Sequence, residues 1–180
     1  MDKSLITKKV IAHALKTLMS EKPFQKISIS EIMSTAQMRR QTFYDHFLDK
    51  YDLLAWIYHQ ETKENIEDFL DYEHWTKSIT RLLYYLQENK AFYQNALLIN
   101  EQNDFREIFF NHSKKLIQTV VLDIKKHQAL SLDVNEIDFY CTFYAHAFVG
   151  VILDWLTQDC HVPVKVLSLQ IRQQLKQSLK

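Results

Sequence analysis

The chain has 180 residues, of which 22 are basic and 22 acidic, so its net charge is zero when the histidines are neutral. It contains one glycine, two prolines and two cysteines. Average glycine usage is about 7%, so a chain this poor in turn-forming residues cannot supply the many turns of a β-rich protein. Two cysteines are too few for a disulfide framework. The composition therefore predicts an all-α protein, with a buried thiol at Cys141, which lies in an apolar run.

The two parts of the chain differ in net charge, although the whole chain is neutral. Residues 1–55 hold nine basic and six acidic residues and carry a net +3, whereas residues 56–180 hold 13 and 16 and carry a net −3. We predict two domains with these bounds, a mildly basic head and a mildly acidic helical body. A basic head suits a nucleic-acid partner, because phosphates attract Lys and Arg side chains.

The head is predicted to begin with a helix at about residues 7–21, followed by the link PFQKISI. Ser28 is a favourable N-cap for a second helix, and Glu31 three residues later completes a capping box. Ile32 and Met33 then continue the apolar spacing of a short amphipathic helix. A second helix is therefore predicted directly after the link.

A third helix is predicted at about residues 38–46, with Met38, Thr42 and Phe43 facing inward and the other polar side chains facing outward. Arg pairs bidentately with guanine and Gln with adenine, and each good pair discriminates by roughly 1–3 kcal/mol. Hydroxyl, imidazole and ammonium groups suit phosphate oxygens, which position a protein on the duplex. We therefore predict a helix-turn-helix that enters the major groove of double-stranded DNA. The predicted DNA-contacting residues are Ser28, Arg39, Arg40, Gln41, Thr42, Tyr44, His46 and Lys50.

The segment TFYDHFLDKYDLL resembles the head signature of the TetR family of transcriptional regulators. The resemblance covers about residues 5–58 and includes the length and pattern of the first helix and the link. It implies a three-helix DNA-binding head. By this resemblance, base edges are contacted by Arg39, Arg40 and Gln41, and phosphates by Thr42, Tyr44, His46 and Lys50.

Three positions depart from the common pattern of that family. Gln37 stands where the turn usually has Gly, so either Gln37 adopts a left-handed conformation or the turn differs. Arg39 replaces the usual Ser or Thr cap, and Gln41 replaces another frequent Gly. These departures leave the predicted fold unchanged, but they support an alternative of another class, a helical adaptor with a degenerate DNA-binding head.

Six helices are predicted in the body, at about residues 49–70, 75–88, 90–99, 104–126, 134–156 and from 163 onward. The helix over 134–156 is apolar almost all round, so several of its faces must be covered. Because Asp138, His146 and Asp154 interrupt it, it is not predicted to span a membrane.

The last two helices are predicted to form a dimer contact. The final helix carries one apolar stripe, and it follows the most hydrophobic helix of the chain. Two copies related by a two-fold axis would build a four-helix interface, which is also how TetR-family proteins dimerise. The predicted dimerisation residues are Phe148, Ile152, Trp155, Leu167, Ile171 and Leu175.

Aromatic residues are dense in the body, between Tyr84 and Trp155. They either line an effector pocket, as is frequent in the TetR family, or form an ordinary core. The segments RLLYYLQENKAFYQNALL and VGVILDWL resemble the branch of the family that regulates dihydroxyacetone kinase genes. That resemblance implies transcriptional activation, together with a coactivator protein that is related to a kinase subunit and senses dihydroxyacetone.

Other classes of function are disfavoured. The chain has no P-loop, dinucleotide-binding fingerprint or nucleophile elbow, and its histidines lack the spacing of a zinc site. Neither an enzyme nor a cofactor is predicted. No signal peptide or transit segment opens the chain, so a cytoplasmic location is expected. The leading prediction is a dimeric DNA-binding regulator, and the alternatives are the adaptor and a repressor that a small molecule in the body releases from DNA.

Overall fold

The computed structural model describes residues 3–65, 75–99, 105–128 and 133–177. These residues contain no β-strand, which confirms the all-α prediction for the part of the chain described. Residues 66–70, the end of the helix predicted over 49–70, lie outside the described residues. In chain order the helices are α1 (Lys3–Glu21), a short 3₁₀ helix (Phe24–Lys26), α2 (Ile29–Thr35), α3 (Arg40–Tyr44), α4 (Lys50–Asn65), α5 (Trp75–Glu88), α6 (Lys90–Leu97), α7 (Phe105–Gln128), α8 (Val134–Thr157) and α9 (Val164–Gln177).

The helices belong to two compact units. Unit 1 comprises Met1–Thr62 together with Asn89–Phe105, and unit 2 comprises Lys63–Glu88 together with Arg106–Lys180. Unit 1 extends beyond the head predicted over residues 1–55, because α6 packs against α1. Packing between helices this distant in sequence leaves no trace in composition or charge, so the sequence did not indicate it.

Unit 1 is held together by apolar side chains from its successive helices. α1 starts at Lys3, earlier than predicted, and the Thr7 hydroxyl donates to the Lys3 carbonyl at 3.1 Å. Burying a large apolar side chain contributes roughly 1.5–3 kcal/mol, so this core is the main stabilising feature of the unit. Its buried side chains include Ile11, Leu15, Met19, Ile32, Met33, Phe43, Phe47, Leu53, Leu54 and Ile57.

The central aromatic residues of unit 1 form a core and not a pocket. Tyr58, Tyr93 and Phe105 are almost fully buried, and the rings of Tyr58 and Phe105 meet edge to face with centroids 5.2 Å apart. The Tyr93 hydroxyl donates to Glu61 Oε2 at 3.2 Å, so the polar tip of the buried ring is satisfied. Of the two interpretations of the aromatic residues between Tyr84 and Trp155, the core applies to Tyr93 and Phe105.

Unit 2 is a helical bundle in which α5 and α9 pack against each other. α8 begins at a capping box, in which Asp133 Oδ1 accepts from the Glu136 amide at 2.9 Å and Glu136 Oε2 accepts from the Asp133 amide at 2.8 Å. Cys141 on α8 is 1% exposed, which confirms the predicted buried thiol, and burial raises its pKa. Buried side chains of α5 and α7 include Ile79, Leu82, Leu83, Leu86, Leu116, Val120 and Val121.

A glycine-free turn joins α8 to α9. Asp159 and Cys160 both have positive φ, at 64° and 56°. The Asp159 amide donates to the Leu156 carbonyl at 3.1 Å, and the Cys160 amide donates to the Trp155 carbonyl at 2.9 Å. This is the Schellman arrangement, which ends a helix by satisfying its last carbonyls. The two left-handed residues therefore reverse the chain without the glycine that usually does so.

The apolar stripes predicted to form the dimer contact lie largely inside unit 2. The structure assigns them to the core of the unit, because a core takes up the most apolar stripe of a helix first. Exposed apolar side chains do occur on the same two helices, but at other positions. Five of the predicted residues are at most 7% exposed and one, Ile171, is half-buried; the five are Phe148, Ile152, Trp155, Leu167 and Leu175.

The packing of α8 explains why this helix is so apolar. Among the described helices, α8 has the length and the hydropathy of a membrane span. However, Cys141, Ala145, Ile152 and Trp155 are buried against the rest of unit 2, as in the core helix of a globular domain. The helix is apolar on this side because it packs into the core, and its exposed side requires a separate explanation.

Candidate DNA-binding site

The start of α2 is fixed by the predicted capping box. Ser28 Oγ accepts from the Glu31 amide at 3.2 Å, and Glu31 Oε2 accepts from the Ser28 amide at 2.8 Å. Lys22 forms an ion pair with Glu31. The hydrogen bond from Lys22, followed by those from Ser28, lowers the pKa of Glu31 from 4.5 to about 2. Ser28 is therefore confirmed as the N-cap of α2, and its role at DNA remains a prediction.

The turn between α2 and α3 contains a left-handed glutamine. Gln37 has a φ of 54°. Of the two alternatives that the sequence left open, the left-handed conformation of Gln37 is therefore the one observed. The Gln37 amide donates to the Ser34 carbonyl at 3.1 Å, and the Met38 amide donates to the Met33 carbonyl at 2.9 Å. The turn thus has the usual Schellman geometry, although a glutamine occupies the position that favours glycine.

α3 is shorter than predicted and spans Arg40–Tyr44. Arg39 occupies the N-cap position in an extended conformation, and its side chain makes no capping hydrogen bond. The Arg39 carbonyl accepts the first bond of the helix, from the Thr42 amide at 3.0 Å. Phe43 is fully buried and anchors α3 to the core of unit 1. The guanidinium of Arg39 is therefore presented at the very start of the predicted recognition helix.

The exposed face of α3 is polar, as predicted. Arg40, Gln41 and Tyr44 are exposed, whereas Thr42 and His46 are half-buried. Arg40 Nη2 donates to the Tyr44 hydroxyl at 3.2 Å, and the guanidinium lies 5.9 Å from the centroid of the Tyr44 ring. This pairing restricts the rotamers of Arg40 before any partner binds, because a cation–π contact and a hydrogen bond hold it together.

α4 starts immediately after the site. Asp49 Oδ1 accepts from the amides of Tyr51 and Asp52, both at 2.8 Å, which makes Asp49 the N-cap of α4. The Leu48 amide in turn donates to Asp52 Oδ2 at 3.0 Å. Leu48 is 85% exposed between α3 and α4.

Lys50 forms hydrogen bonds to the backbone that the sequence did not indicate. Its ammonium donates to three backbone carbonyls of the link that joins α1 to α2. The phosphate contact implied by the family resemblance remains a prediction, and the ammonium is half-buried and already bonded. Asn95 of α6 holds the same link from another direction. Nothing in the sequence near Asn95 connects it to the head, because the contact depends on how α6 packs on α1.

The arrangement meets the requirements of a helix-turn-helix. Two short helices are joined by a tight turn and pack against each other, the second exposes polar side chains, and its buried Phe43 fixes it in the core of unit 1. Such a helix can enter a major groove with its N-terminal residues toward the base edges.

Comparison with known protein families agrees with this geometry. Residues 11–57 match the model of the family described as bacterial regulatory proteins, tetR family. Residues 73–177 match the model described as transcriptional regulator C-terminal region. The two matches together cover both the helix-turn-helix and most of unit 2.

Individual relatives have the same organisation. The chain is 38% identical over 151 residues to the HTH-type dhaKLM operon transcriptional activator DhaS of Lactococcus lactis subsp. lactis (strain IL1403), which covers 84% of this chain and 80% of that protein. A solved structure described as dihydroxyacetone kinase operon activator DhaS has a TM-score of 0.79 at 33% identity and 97% coverage of both chains. Thermus thermophilus FadR, a repressor solved with lauroyl-CoA, shares the fold with a TM-score of 0.66 at 16% identity, covering 93% of this chain and 92% of its own. The chain therefore belongs to the TetR family and is a DNA-binding transcriptional regulator.

Proposed function

We propose that this regulator activates the genes of a dihydroxyacetone kinase operon. The observation that carries the proposal is the 38% identity to an activator of the dhaKLM operon, because the aligned region extends over 84% of the chain. Heads are similar across many regulators, whereas a similarity that includes unit 2 concerns the part that receives the signal. The C-terminal family model that matches residues 73–177 supports the part of the proposal that assigns unit 2 to a transcriptional regulator.

We further propose that the protein works as a homodimer through exposed apolar side chains of α8 and α9. Phe139 is 69% exposed and Phe143 is 57% exposed, and large apolar side chains in water favour a partner. A second copy is the partner we propose, because a two-fold contact between paired helices buries the same face of both chains. The other exposed apolar residues of this surface are Val151 on α8 and Val166 and Leu169 on α9.

A groove of about 360 Å³ lies on the same helices, lined in part by Phe143, Val151, Ile171 and Gln174. We propose that the second copy occupies it, since its lining includes exposed residues of the dimer surface. The competing function is a repressor released by a small molecule, and the size of the groove is what favours it. A candidate metabolite that raises the melting temperature of the dimer, in the absence of any other protein, would support this alternative.

A homodimer of this kind would recognise a nearly palindromic DNA site. Its two heads would meet successive major-groove faces, about 34–36 Å apart if the half-sites are separated by one turn. We propose in addition that the protein acts in the cytoplasm and needs a coactivator protein related to a dihydroxyacetone kinase subunit. The coactivator part of the proposal is supported by the similarity to the operon activator over 84% of this chain.

The proposal is tested first by selecting bound duplexes from a random pool with the purified full chain, at two salt concentrations. We expect a two-fold-symmetric motif, and the same motif upstream of dihydroxyacetone kinase genes. A symmetric motif that is absent from such operons would overturn the proposed regulon. A folded dimer that enriches no motif, alone or in cell extract, would support the adaptor alternative.

Arg39 provides a test of the base contacts. Arg39→Ala should cost roughly 1–3 kcal/mol of binding to the selected site and relax the preference at one base pair of each half-site. Binding to unrelated duplexes should change much less. The measurement is a set of binding titrations on duplexes substituted one base pair at a time. An unchanged preference at every position would show that Arg39 does not contact a base.

A further inference from the structure

A lysine of α1 is bonded to two segments of unit 1 that are distant from it in the sequence. Lys16 Nζ donates to Glu61 Oε1, near the end of α4, at 2.5 Å and to Asn89 Oδ1, just before α6, at 2.8 Å. The same ammonium lies 5.3 Å from the centroid of the Phe92 ring on α6. One side chain therefore connects three helices of unit 1, and we call Lys16, Glu61 and Asn89 the Lys16 junction.

The ion pair of the Lys16 junction is largely withdrawn from water. The side chains of Lys16 and Glu61 are 23% and 19% exposed. The other carboxylate oxygen of Glu61, Oε2, accepts from the hydroxyl of the buried Tyr93 on α6 at 3.2 Å. Hydrogen bonds between charged groups are stronger in such a site than at an open surface, because water competes less for the same atoms. The junction can therefore fix α1, α4 and α6 relative to one another.

Asn89 occupies the N-cap position of α6 but does not cap the helix. An asparagine at this position usually accepts from an amide of the first turn, and here the side chain makes no capping hydrogen bond. Its Oδ1 accepts from Lys16 of α1. The Asn89 side chain thus serves the contact between α6 and α1 and not the start of its own helix.

The Lys16 junction lies where the chain leaves unit 1 and where it returns. The first stretch of unit 1 ends at Thr62, directly after Glu61, and the second stretch begins at Asn89. Lys16 therefore holds both stretches to α1. Because α2 packs against α1, and α3 against α2, the position of the predicted recognition helix depends on what holds α1 in place.

We propose that Lys16, Glu61 and Asn89 are positioning residues that join α1, α4 and α6 into one rigid body and so hold the helix-turn-helix in the geometry that reads DNA. The proposal deepens the DNA-binding function and rests on it. It makes α6 a part of the DNA-binding unit, although α6 lies outside the head model that matches residues 11–57. Hydrogen bonds require donor–acceptor distances within about 0.5 Å of their optimum, so a displacement of α1 by about 1 Å is sufficient to weaken recognition.

The junction is tested without DNA by amide hydrogen exchange on the full chain. Lys16→Met removes the ammonium and keeps an unbranched stem. We expect the protection of the Tyr93 amide, which donates to the Asn89 carbonyl at 3.1 Å, to fall roughly tenfold or more, because the start of α6 opens locally. The Ile32 amide in α2 should keep its protection, since the variant displaces α2 without unfolding it.

Lys9→Met is the matched control for the exchange experiment, because Lys9 is an exposed lysine of the same helix. It should leave the Tyr93 and Ile32 amides as protected as in the wild type. Wild-type protection of Tyr93 in Lys16→Met would overturn the proposal. An equal loss of protection at Tyr93 and Ile32 would show that Lys16 stabilises the fold as a whole, and it would also overturn the proposal.

The consequence for DNA binding is tested by a double-mutant cycle of Lys16→Met and Glu61→Met on the selected duplex. Each single variant should bind roughly tenfold more weakly, because it leaves one member of a largely buried ion pair without its partner. The loss of salt dependence should not exceed that of Lys9→Met, since no phosphate contact is removed. The double variant should bind at least as well as either single variant, because residues of one network are not additive. Losses that multiply in the double variant would overturn the proposal.

Ile57→Val is the control for a loss of stability alone. Ile57 is buried in α4, and the substitution removes one methyl group from the core of unit 1. At a temperature where every variant is folded, Ile57→Val should bind the duplex like the wild type. A loss as large as that of Lys16→Met would show that affinity follows stability and would overturn the positioning role. A wild-type chain that binds no duplex would overturn the DNA-binding function instead, and the exchange of Tyr93 would still decide the junction.

Discussion

The two units expose opposite kinds of surface on helices of very different length. α3 of unit 1 has five residues and exposes Arg40, Gln41 and Tyr44. α8 of unit 2 has 24 residues and exposes Phe139 and Phe143. Polar side chains remain stable in water until a charged partner replaces the water, whereas an apolar face in water raises the free energy until it is covered. The exposed side chains of each helix thus indicate its kind of partner: DNA for α3 and another protein surface for α8.

The two helices are also held in place by different forces. A five-residue helix is too short to be stable alone, so α3 depends on the caps and turns around it, such as the left-handed Gln37 and the N-cap Asp49. α8 is long and is fixed by its buried stripe, of which Ile152 is 0% exposed. Substitutions in unit 1 should therefore act mainly through hydrogen bonds and backbone conformation, and those in unit 2 through packing.

The largest effect is expected from a substitution of Ile152, which lies on the buried side of α8. Ile152→Ala should lower the free energy of unfolding by about 2–5 kcal/mol, because it leaves a cavity in a packed core. Val151 is the neighbouring residue and is 41% exposed, so Val151→Ala should cost about 1 kcal/mol or less. Urea unfolding at one fixed protein concentration measures both. Equal costs at the two positions would contradict the assignment of Ile152 to the core.

The next effect concerns the exposed face of α8. Phe143→Glu should weaken the dimer by roughly 100-fold or more, because a two-fold contact would bury two carboxylates against apolar surface. Sedimentation velocity over a range of concentrations gives the dissociation constant. Val134→Glu is the control, since Val134 is also exposed but lies on the opposite side of the helix. An unchanged dissociation constant in Phe143→Glu would place the dimer contact elsewhere.

A smaller effect tests the turn of the helix-turn-helix. Gln37→Gly should raise the free energy of unfolding by about 0.5–1 kcal/mol, because it removes a left-handed penalty of roughly 1–2 kcal/mol and adds the entropic cost of glycine. Gln41→Gly, within α3, is the control. It should lower the free energy of unfolding by about 1 kcal/mol. Chemical denaturation of both variants provides the comparison. Destabilisation at both positions would contradict the strain assigned to Gln37.

The smallest effect concerns pH and the capping box of α2. The folded pKa of Glu31 is about 2, below its ordinary 4.5, mainly through the hydrogen bond from Lys22. Its carboxylate therefore stabilises the fold above pH 4.5, and this contribution is lost as the pH falls from 4.5 toward 2. Glu31→Gln should lower the melting temperature slightly at pH 6 and by progressively less toward pH 2, since an exposed ion pair is strongly screened.

Thermal melts of the wild type and Glu31→Gln at a series of pH values measure this difference. Glu21→Gln, which changes an exposed glutamate at the end of α1, is the matched control and should show no such trend. A difference between wild type and Glu31→Gln that is the same at pH 6 and pH 2 would contradict the cause assigned to the shift.

The sequence by itself determined the all-α class, the positions of most helices, the N-cap Ser28, and the alternatives at Gln37. These features depend on residues within about one helical turn of each other, so local spacing and side-chain chemistry are sufficient to predict them. The polar face of α3 was predictable for the same reason, because a helix of known register separates its buried residues from its exposed ones.

Only the tertiary structure decided which apolar stripe fills the core and which polar groups hold the head. Lys50 is bonded to Phe24 across 26 residues, and Asn95 to Met19 across 76. Such contacts depend on how α4 and α6 pack beside α1, and the composition of the segments involved does not reveal that packing. The same is true of α8, where the buried Ile152 and the exposed Phe143 are both apolar. Hydrophobicity indicates that a side chain will be covered, and only the packing of the helices decides whether its own chain or a partner covers it.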